Sequence, residues 1–398
     1  RCAVQRRCRL DKAKYEYGAM FGFRVWLPSV KNKYRVELTA RARRSGLMLG
    51  VTYNEHGGLE RLALRHIADP EPADDEVLVR VSYVGLNAVD LLALRGLPRV
   101  RNPLPMVPGG DVAGVVERAG RIAEQAGWRP GDRVVVYPTH PREGINGESA
   151  LGGLSELMRC HMSQLVSVPA AVALRDAAAL PTAYGAAAHM LFDVGECKQG
   201  ETVLVLGAAG GVGTAVVQLA QAHGMTTIAA VGSASKARYV SMLGAKHVID
   251  TSEQDVMSAC HELYGRPSAI DRETHLPGHT ALNSPGVDVV VNFVGGNTWH
   301  PALRCVRAGG RILTCGALAG HMVDLDLRYV WSLQLQIRGA TGWTPEGQRD
   351  LVELVRTERL RPVVDGVFPM EDFLSAYEKL ESRSAMGKIL VQVDPESD

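Results

Sequence analysis

Val203-Leu204-Val205-Leu206-Gly207-Ala208-Ala209-Gly210-Gly211-Val212-Gly213 is an apolar run that ends in a glycine loop. A continuous β-branched and aliphatic run is the pattern of a parallel strand buried on both faces, and Thr202–Leu206 reads so. Over residues 212–223 the apolar side chains Val216, Leu219 and Ala220 fall at helical spacing. Gly224 stands where a C-cap belongs, and Thr226–Val231 is the next strand. These elements make one βαβ unit. In such a unit glycines permit a tight turn and let backbone N–H groups approach a pyrophosphate at the helix N-terminus. Gly207, Ala208, Ala209, Gly210, Gly211, Val212 and Gly213 are therefore expected to bind a dinucleotide. The loop reads A-x-G-x-x-G, with Ala208 where the first glycine of the usual fingerprint stands.

The end of the second strand selects the cofactor. An acidic side chain about 20 residues past the loop would hold the ribose 2′-hydroxyl of NAD and repel a 2′-phosphate. That place holds Val231-Gly232-Ser233-Ala234-Ser235-Lys236, with no carboxylate. Ser233 and Lys236 suit a 2′-phosphate, so NADP(H) is the expected cofactor. The alternative leaves Lys236 and Arg238 facing solvent on the following helix.

The 398 residues suffice for two substantial cores, and 46% hydrophobic against 22% charged residues is ordinary for a soluble globular chain. The formal net charge of +1 conceals an asymmetry: residues 1–46 carry 13 Lys/Arg and 3 Asp/Glu, the remainder 31 and 40. An acidic body argues against nucleic-acid binding. The basic arm, 1–46, shows no clear period and is expected to be a disordered extension, with a targeting peptide or a binding arm as alternatives. No run is long and apolar enough for a membrane span. Seven cysteines without C-x-x-C spacing read as reduced thiols, which places the chain in the cytoplasm, and Cys305 and Cys315 read as small buried apolar residues.

Residues 47–170 carry short β-rich runs at 77–84, 111–118, 132–137 and 165–168, a pattern that predicts a compact antiparallel barrel. Residues 170–194 read as helix leading into a nucleotide-binding domain over 171–339. There, strand candidates at 247–250, 288–293, 311–315 and 335–339 join the βαβ unit in a six-stranded doubly wound parallel sheet of the α/β class. A polar, proline-bearing stretch at about 265–286 reads as a surface loop insertion, where Glu273, His275 and His279 give only weak metal-ligand spacing. The tail, 340–394, supplies a helix at 346–358, a strand at 363–368, a helix at 371–381 and a last strand at 388–393. The stretch 334–338 is expected to extend a sheet across a two-fold axis and give a homodimer.

Five strings occur in order: Gly85-Leu86-Asn87-Ala88-Val89-Asp90, Pro108-Gly109-Gly110-Asp111-Val112-Ala113-Gly114-Val115-Val116, Gly131-Asp132-Arg133-Val134, the glycine loop from Ala208, and Val367-Phe368-Pro369 with Gly387-Lys388-Ile389. From about Met48 to Val393 the chain thereby resembles the medium-chain dehydrogenase/reductase superfamily, and within it the zinc-free quinone oxidoreductase branch. The resemblance implies a GroES-like catalytic β-barrel and a Rossmann domain. It also implies a C-terminal segment returning to the barrel, with substrate and nicotinamide in the cleft between. The catalytic zinc ligands of the family's alcohol dehydrogenases fall on Asn87, Gly110 and Ala178, a carboxamide, a hydrogen and a methyl group, none of which binds zinc. The lobe that carries four structural-zinc cysteines in many relatives corresponds to about 138–153, which holds no cysteine. No metal is expected.

Without a Lewis acid an alkoxide is hard to generate, whereas hydride transfer to an activated C=C needs only orientation and stabilisation of a developing enolate. The implied activity is NADPH-dependent reduction of a small electrophile, a quinone or an α,β-unsaturated carbonyl. Asn87 is expected beside the nicotinamide as donor and orienter, with a turn residue as the alternative. Asp90 would orient a ribose or neighbouring backbone, and Thr182 would contact the nicotinamide amide. Cys315, Gly316 and Ala317 would pass beneath the ring by backbone, with 292–296 outside the strand ends. Tyr53, Tyr137 and Tyr184 are acid candidates beside water, and the sequence does not choose among them. Two further readings stay open, a zinc-type alcohol dehydrogenase of the same superfamily and a non-enzymatic nucleotide-binding relative.

Overall fold

In the computed structural model, residues 46–97, 100, 102–268 and 284–396 are described. The basic arm apart from Gly46, together with Glu273, His275 and His279, lies outside them. In chain order the strands are β1 (Leu47–Thr52), β2 (Ala63–Ala68), β3 (Glu76–Leu86), β4 (Asp111–Ala119), β5 (Arg133–Val136), β6 (Thr139–His140), β7 (Gly144–Ile145), β8 (Leu157–His161), β9 (Leu165–Ser167), β10 (Thr202–Leu206), β11 (Thr226–Val231), β12 (His247–Asp250), β13 (Val287–Asn292), β14 (Val306–Thr314), β15 (Gln336–Gly339), β16 (Val364–Pro369) and β17 (Lys388–Gln392). Met48–Asp398 forms one compact unit built on two large sheets.

The quoted apolar run is the middle of the first sheet. All five residues of β10 are buried, with β11 on one side and β13 on the other, and every pairing in the order β12-β11-β10-β13-β14-β15 is parallel. A strand with neighbours on both edges and helices on both faces has no wet side, hence the absence of alternation in its sequence. Chain order reverses between β10 and β13, so a crevice opens at their carboxyl ends, at Gly207 and Asn292. The chain is thus an α/β protein with a Rossmann doubly wound sheet.

The second sheet has the order β16-β17-β3-β4-β5-β9, with β8 also on β3. Its pairs are antiparallel except β16 with β17. β3 is its spine: ten of its eleven residues are buried, because β17 and β4 cover its exit half while β4 and β8 cover its entry half. The C-terminal strand β17 is therefore built into the GroES-like sheet, between β16 and β3.

Two elements depart locally from the sequence expectation, the first for a physical reason. Residues 170–194 do not form one helix but Leu174–Ala178, Pro181–Ala188 and a π-helical turn His189–Val194. Pro181 has no N–H to donate and its fixed φ suits a first turn, so it starts a new helix rather than continuing one. The last helix, Phe373–Glu381, is entered through a 3-10 turn at Met370–Asp372.

Candidate active site

Antiparallel register assembles the polar centre. β3 runs against both β4 and β17, so its exit end meets the first residues of both neighbours: Gly85 is opposite Asp111, and Leu86 is opposite Ile389. Asn87, Asp111 and Lys388 thereby converge from three strand ends. Lys388 is 2% exposed and Asp111 0%, yet every proton and lone pair between them is engaged. Lys388 Nζ donates to Asp111 Oδ2 (2.9 Å), Asn87 Oδ1 (2.5 Å) and Leu86 O (3.0 Å). Asn87 Nδ2 donates to Asp111 Oδ2 (2.9 Å) and toward Gly85 O (3.4 Å). Asp111 Oδ1 accepts from both the N–H (3.0 Å) and the hydroxyl (2.6 Å) of Thr182, in the first turn of Pro181–Ala188. A buried ion pair is tolerated only with this degree of satisfaction. Thr182 is thus fixed from the barrel side although it belongs to the helix leading to the parallel sheet.

Asp90 lies one turn away in the helix Ala88–Arg95. Its carboxyl accepts from Asn87 N (2.7 Å) and Gly109 N (3.2 Å), tying the helix start to the 108–110 loop. Burial, with Asp111 nearby, pushes it up to about 7 against the pull of its two N–H donors and Lys388. The acid candidates are placed apart. Tyr53 is fully buried in the barrel core, its hydroxyl accepting from Asn102 Nδ2 (3.1 Å), and burial pushes its phenol up. Tyr184 is also buried, donating to Gln218 Oε1 (2.7 Å) and accepting from Val363 N (2.9 Å). Tyr137 is half-buried at the junction of the two sheets: its hydroxyl donates to Trp343 O (2.5 Å) and its ring meets the indole edge-on. Trp343 in turn covers Gly185, where a Cβ would lie 2.6 Å from the indole.

The glycine loop occupies the crevice. Gly207 has φ +74°, and a Cβ on Gly213 would lie 2.3 Å from Gly207 O and 2.6 Å from Ala208 Cα. The helix Gly211–Ala222 thus packs onto the loop with no space for a side chain. Ala208 is fully buried, its methyl in the core, which is why an alanine serves there. At Gly210 the nearest atom to an added Cβ is 3.8 Å away, and this N-cap makes no side-chain bond to the first-turn amides. That open cradle at a helix N-terminus fits a pyrophosphate. Beside it Asn292, fully buried at the end of β13, accepts three hydrogen bonds on Oδ1 while its Nδ2 has no partner. An unpartnered buried donor suits a ligand acceptor. Gly387 donates to Ala209 O (2.9 Å), so the segment that delivers Lys388 to the barrel also braces the loop.

Ser233 caps the helix Ala234–Met242, accepting from Lys236 N (3.4 Å), and Lys236 Nζ donates to Arg383 O (2.7 Å). Arg383 itself reaches Leu318 O (3.2 Å). Lys236, past β11, and Arg383, past the last helix, thus have only carbonyl partners among the described residues. Cys315, Gly316 and Ala317 follow β14 at its carboxyl end, where 293–296 and 317–320 clasp through Ala319 N to Val294 O (2.7 Å) and Gly296 N to Gly320 O (2.9 Å). Burial pushes the Cys315 thiol up to about 11, which keeps it from acting as a thiolate at neutral pH. At the positions expected for zinc ligands, Asn87 is held by Asp111 and Lys388. Gly110 is walled by Asn146 O, 2.9 Å from where a Cβ would stand, and Ala178 is a buried methyl.

Asp111 and Lys388 stand inside two of the five strings, which assign neither a role. The signal is present: each is a charged residue opening an apolar run, Asp111 before Val112-Ala113 and Lys388 before Ile389-Leu390-Val391. A charge in such a place needs a partner.

Residues 73–170 match the alcohol dehydrogenase GroES-like domain, and residues 211–357 match the zinc-binding dehydrogenase family. The chain is 29% identical over 365 residues to the NADPH-dependent alkenal/one oxidoreductase, chloroplastic, of Arabidopsis thaliana, covering 90% of this chain and 83% of that protein. It is 27% identical to the quinone oxidoreductase of Rattus norvegicus, covering 87% and 98%. A solved thermostable alcohol dehydrogenase from Pyrobaculum aerophilum is 30% identical with a TM-score of 0.73, covering 87% of this chain and 100% of that one. A GroES-like barrel joined to a dinucleotide crevice by a shared polar centre defines a nicotinamide-dependent oxidoreductase. The chain belongs to the medium-chain dehydrogenase/reductase superfamily, in its quinone oxidoreductase-like branch.

Proposed function

We propose that this chain is an NADPH-dependent reductase of quinones or α,β-unsaturated carbonyls that works without a metal. The observation that carries the reading is the ammonium of Lys388 held among Asn87, Asp111 and Leu86, bonded to the very Asn87 that stands where the resemblance puts a zinc ligand. An engaged carboxamide, a walled glycine and a buried methyl do not fit zinc, and a second cation beside Lys388 would be repelled.

NADPH, when bound, supplies the hydride. The amides opening Gly211–Ala222 would hold its pyrophosphate, and Ser233 and Lys236, with Arg383 nearby, its 2′-phosphate. Thr182 and the backbone at 315–317 would flank the nicotinamide. The chain's own contribution is positional: the Asp111 carboxylate locks Thr182, Asn87 and Lys388 relative to one another before substrate arrives, so no reorganisation is needed as charge develops. Asp90 holds the 108–110 wall in place. The proton that completes reduction comes from water or from Tyr137, whose hydroxyl stands at the junction of the two halves. The active form is proposed to be a homodimer.

The test follows NADPH consumption against quinones, alkenals, enoyl thioesters and saturated ketones, with metal content measured on the same sample. Turnover of the conjugated acceptors by metal-free protein is expected. One equivalent of tightly bound zinc with activity lost on chelation, or turnover of saturated ketones alone, would overturn the reading.

A further inference from the structure

A cavity of about 330 Å³ lies beside β1, lined in part by residues of the barrel core. Successive side chains on extended backbone point to opposite faces. Tyr53 faces the core, so Thr52 and Asn54 turn to the opposite face and line the cavity, together with Pro105 and the core residue Val107. Ile67, Leu151, Leu157 and Met158 complete its apolar walls. Asn87, Asp111, Thr182 and Lys388 are not among the lining residues, and the cavity adjoins the candidate active site through Asn146, whose carbonyl walls Gly110. Its size is at the lower end of small-molecule sites.

Its polar groups are unevenly satisfied. Asn146, 3% exposed, accepts from Gln164 Nε2 (3.3 Å) through Oδ1 while its own Nδ2 has no hydrogen-bond partner. A buried amide donor left open is a destabilising feature unless something occupies it. Arg65, exposed at the rim, donates only to Thr52 Oγ1 (3.0 Å) and Asn54 Oδ1 (3.2 Å), neutral oxygens, and has no acidic partner among the described residues. The remaining charged lining groups are already matched: Arg159 with Glu76 and Glu143, and His140 beside Glu76. Apolar walls, one open N–H donor and one uncompensated guanidinium describe a site for an apolar tail ending in a single carboxylate. We propose that this cavity binds medium-chain monocarboxylates.

Isothermal titration of the full chain with decanoate tests the proposal. Saturable binding at one site is expected, weakened about tenfold by Arg65→Ala through loss of a charge-assisted hydrogen bond. The methyl ester, with no charge to offer, should bind about tenfold more weakly than the acid. Ile67→Trp and, independently, Leu157→Trp fill the cavity and should abolish binding, with thermal melts showing which variant retains the fold. Absence of saturable binding below about 1 mM, equal affinity for acid and ester, or unchanged binding in a folded tryptophan variant would each overturn it.

Discussion

Lys388 and Asp111 form the pair whose loss the molecule should tolerate least. Removing one partner of a buried ion pair leaves the other charge uncompensated, at about 3–5 kcal/mol. Lys388→Met is therefore expected to lower unfolding stability by that order in urea titrations, and adding Asp111→Asn should recover part of the loss, because the neutral pair leaves no buried charge. If the two effects simply add, the residues are not coupled. Asp90 gives a pH signature. Its carboxyl titrates near 7 in the fold, chiefly through burial, against about 3.9 in the unfolded chain. Between those values the native state binds the extra proton, so this group's contribution is fully present below pH 4, is lost as pH rises toward 7, and is flat beyond. Stability measured from pH 4 to 8 should show that fall in the wild type and lack it in Asp90→Asn, and parallel curves would refute the assignment. Legibility at this scale was uneven. Glycine conformation is a local property and could be read directly, whereas Asp111 and Lys388 stand 277 positions apart and their pairing needs the register of three strands.

The helix Gly211–Ala222 and its loop carry two glycines that do different things. At Gly213 an added methyl would strike Gly207 O and Ala208 Cα, both backbone, so the loop itself must move. At Gly210 nothing lies within 3.8 Å, and its φ of −78° suits any residue. Gly213→Ala is expected to lose about 1–3 kcal/mol of stability together with NADPH affinity. Gly210→Ala should keep its thermal midpoint and lose NADPH affinity alone, because the methyl fills only the cradle. Fluorescence titration and melting curves on both variants separate the cases, and equal affinity for Gly210→Ala and wild type would remove the cradle from the cofactor site. The strand Thr202–Leu206 and its partner Thr226–Val231 were legible to the residue because a doubly covered parallel strand leaves an uninterrupted apolar run. The break at Pro181 was not, since an alanine-rich stretch reads as continuous helix until the proline's missing donor is weighed.

At the scale of the molecule, the C-terminal tail joins the halves: β17 pairs with β3 in the barrel while Gly387 braces the glycine loop. The tail thus serves the barrel sheet and the nucleotide crevice with one strand. Among the described residues the parallel sheet, by contrast, ends at β15, an edge strand whose Ile337 is 40% exposed. Close by in sequence, Met322, Leu327 and Trp331 are 82%, 57% and 66% exposed, an apolar concentration that an isolated surface rarely carries. An uncovered edge with such a flank is a template for strand pairing, and an edge that meets its own copy across a two-fold axis satisfies both backbones at once. Light scattering on the purified chain at micromolar concentration should therefore give twice the monomer mass. Ile337→Lys combined with Trp331→Glu places charges at the edge and on its flank, and should return the monomer with melting behaviour otherwise retained. A wild-type monomer, or a variant that stays dimeric, would place the association surface elsewhere.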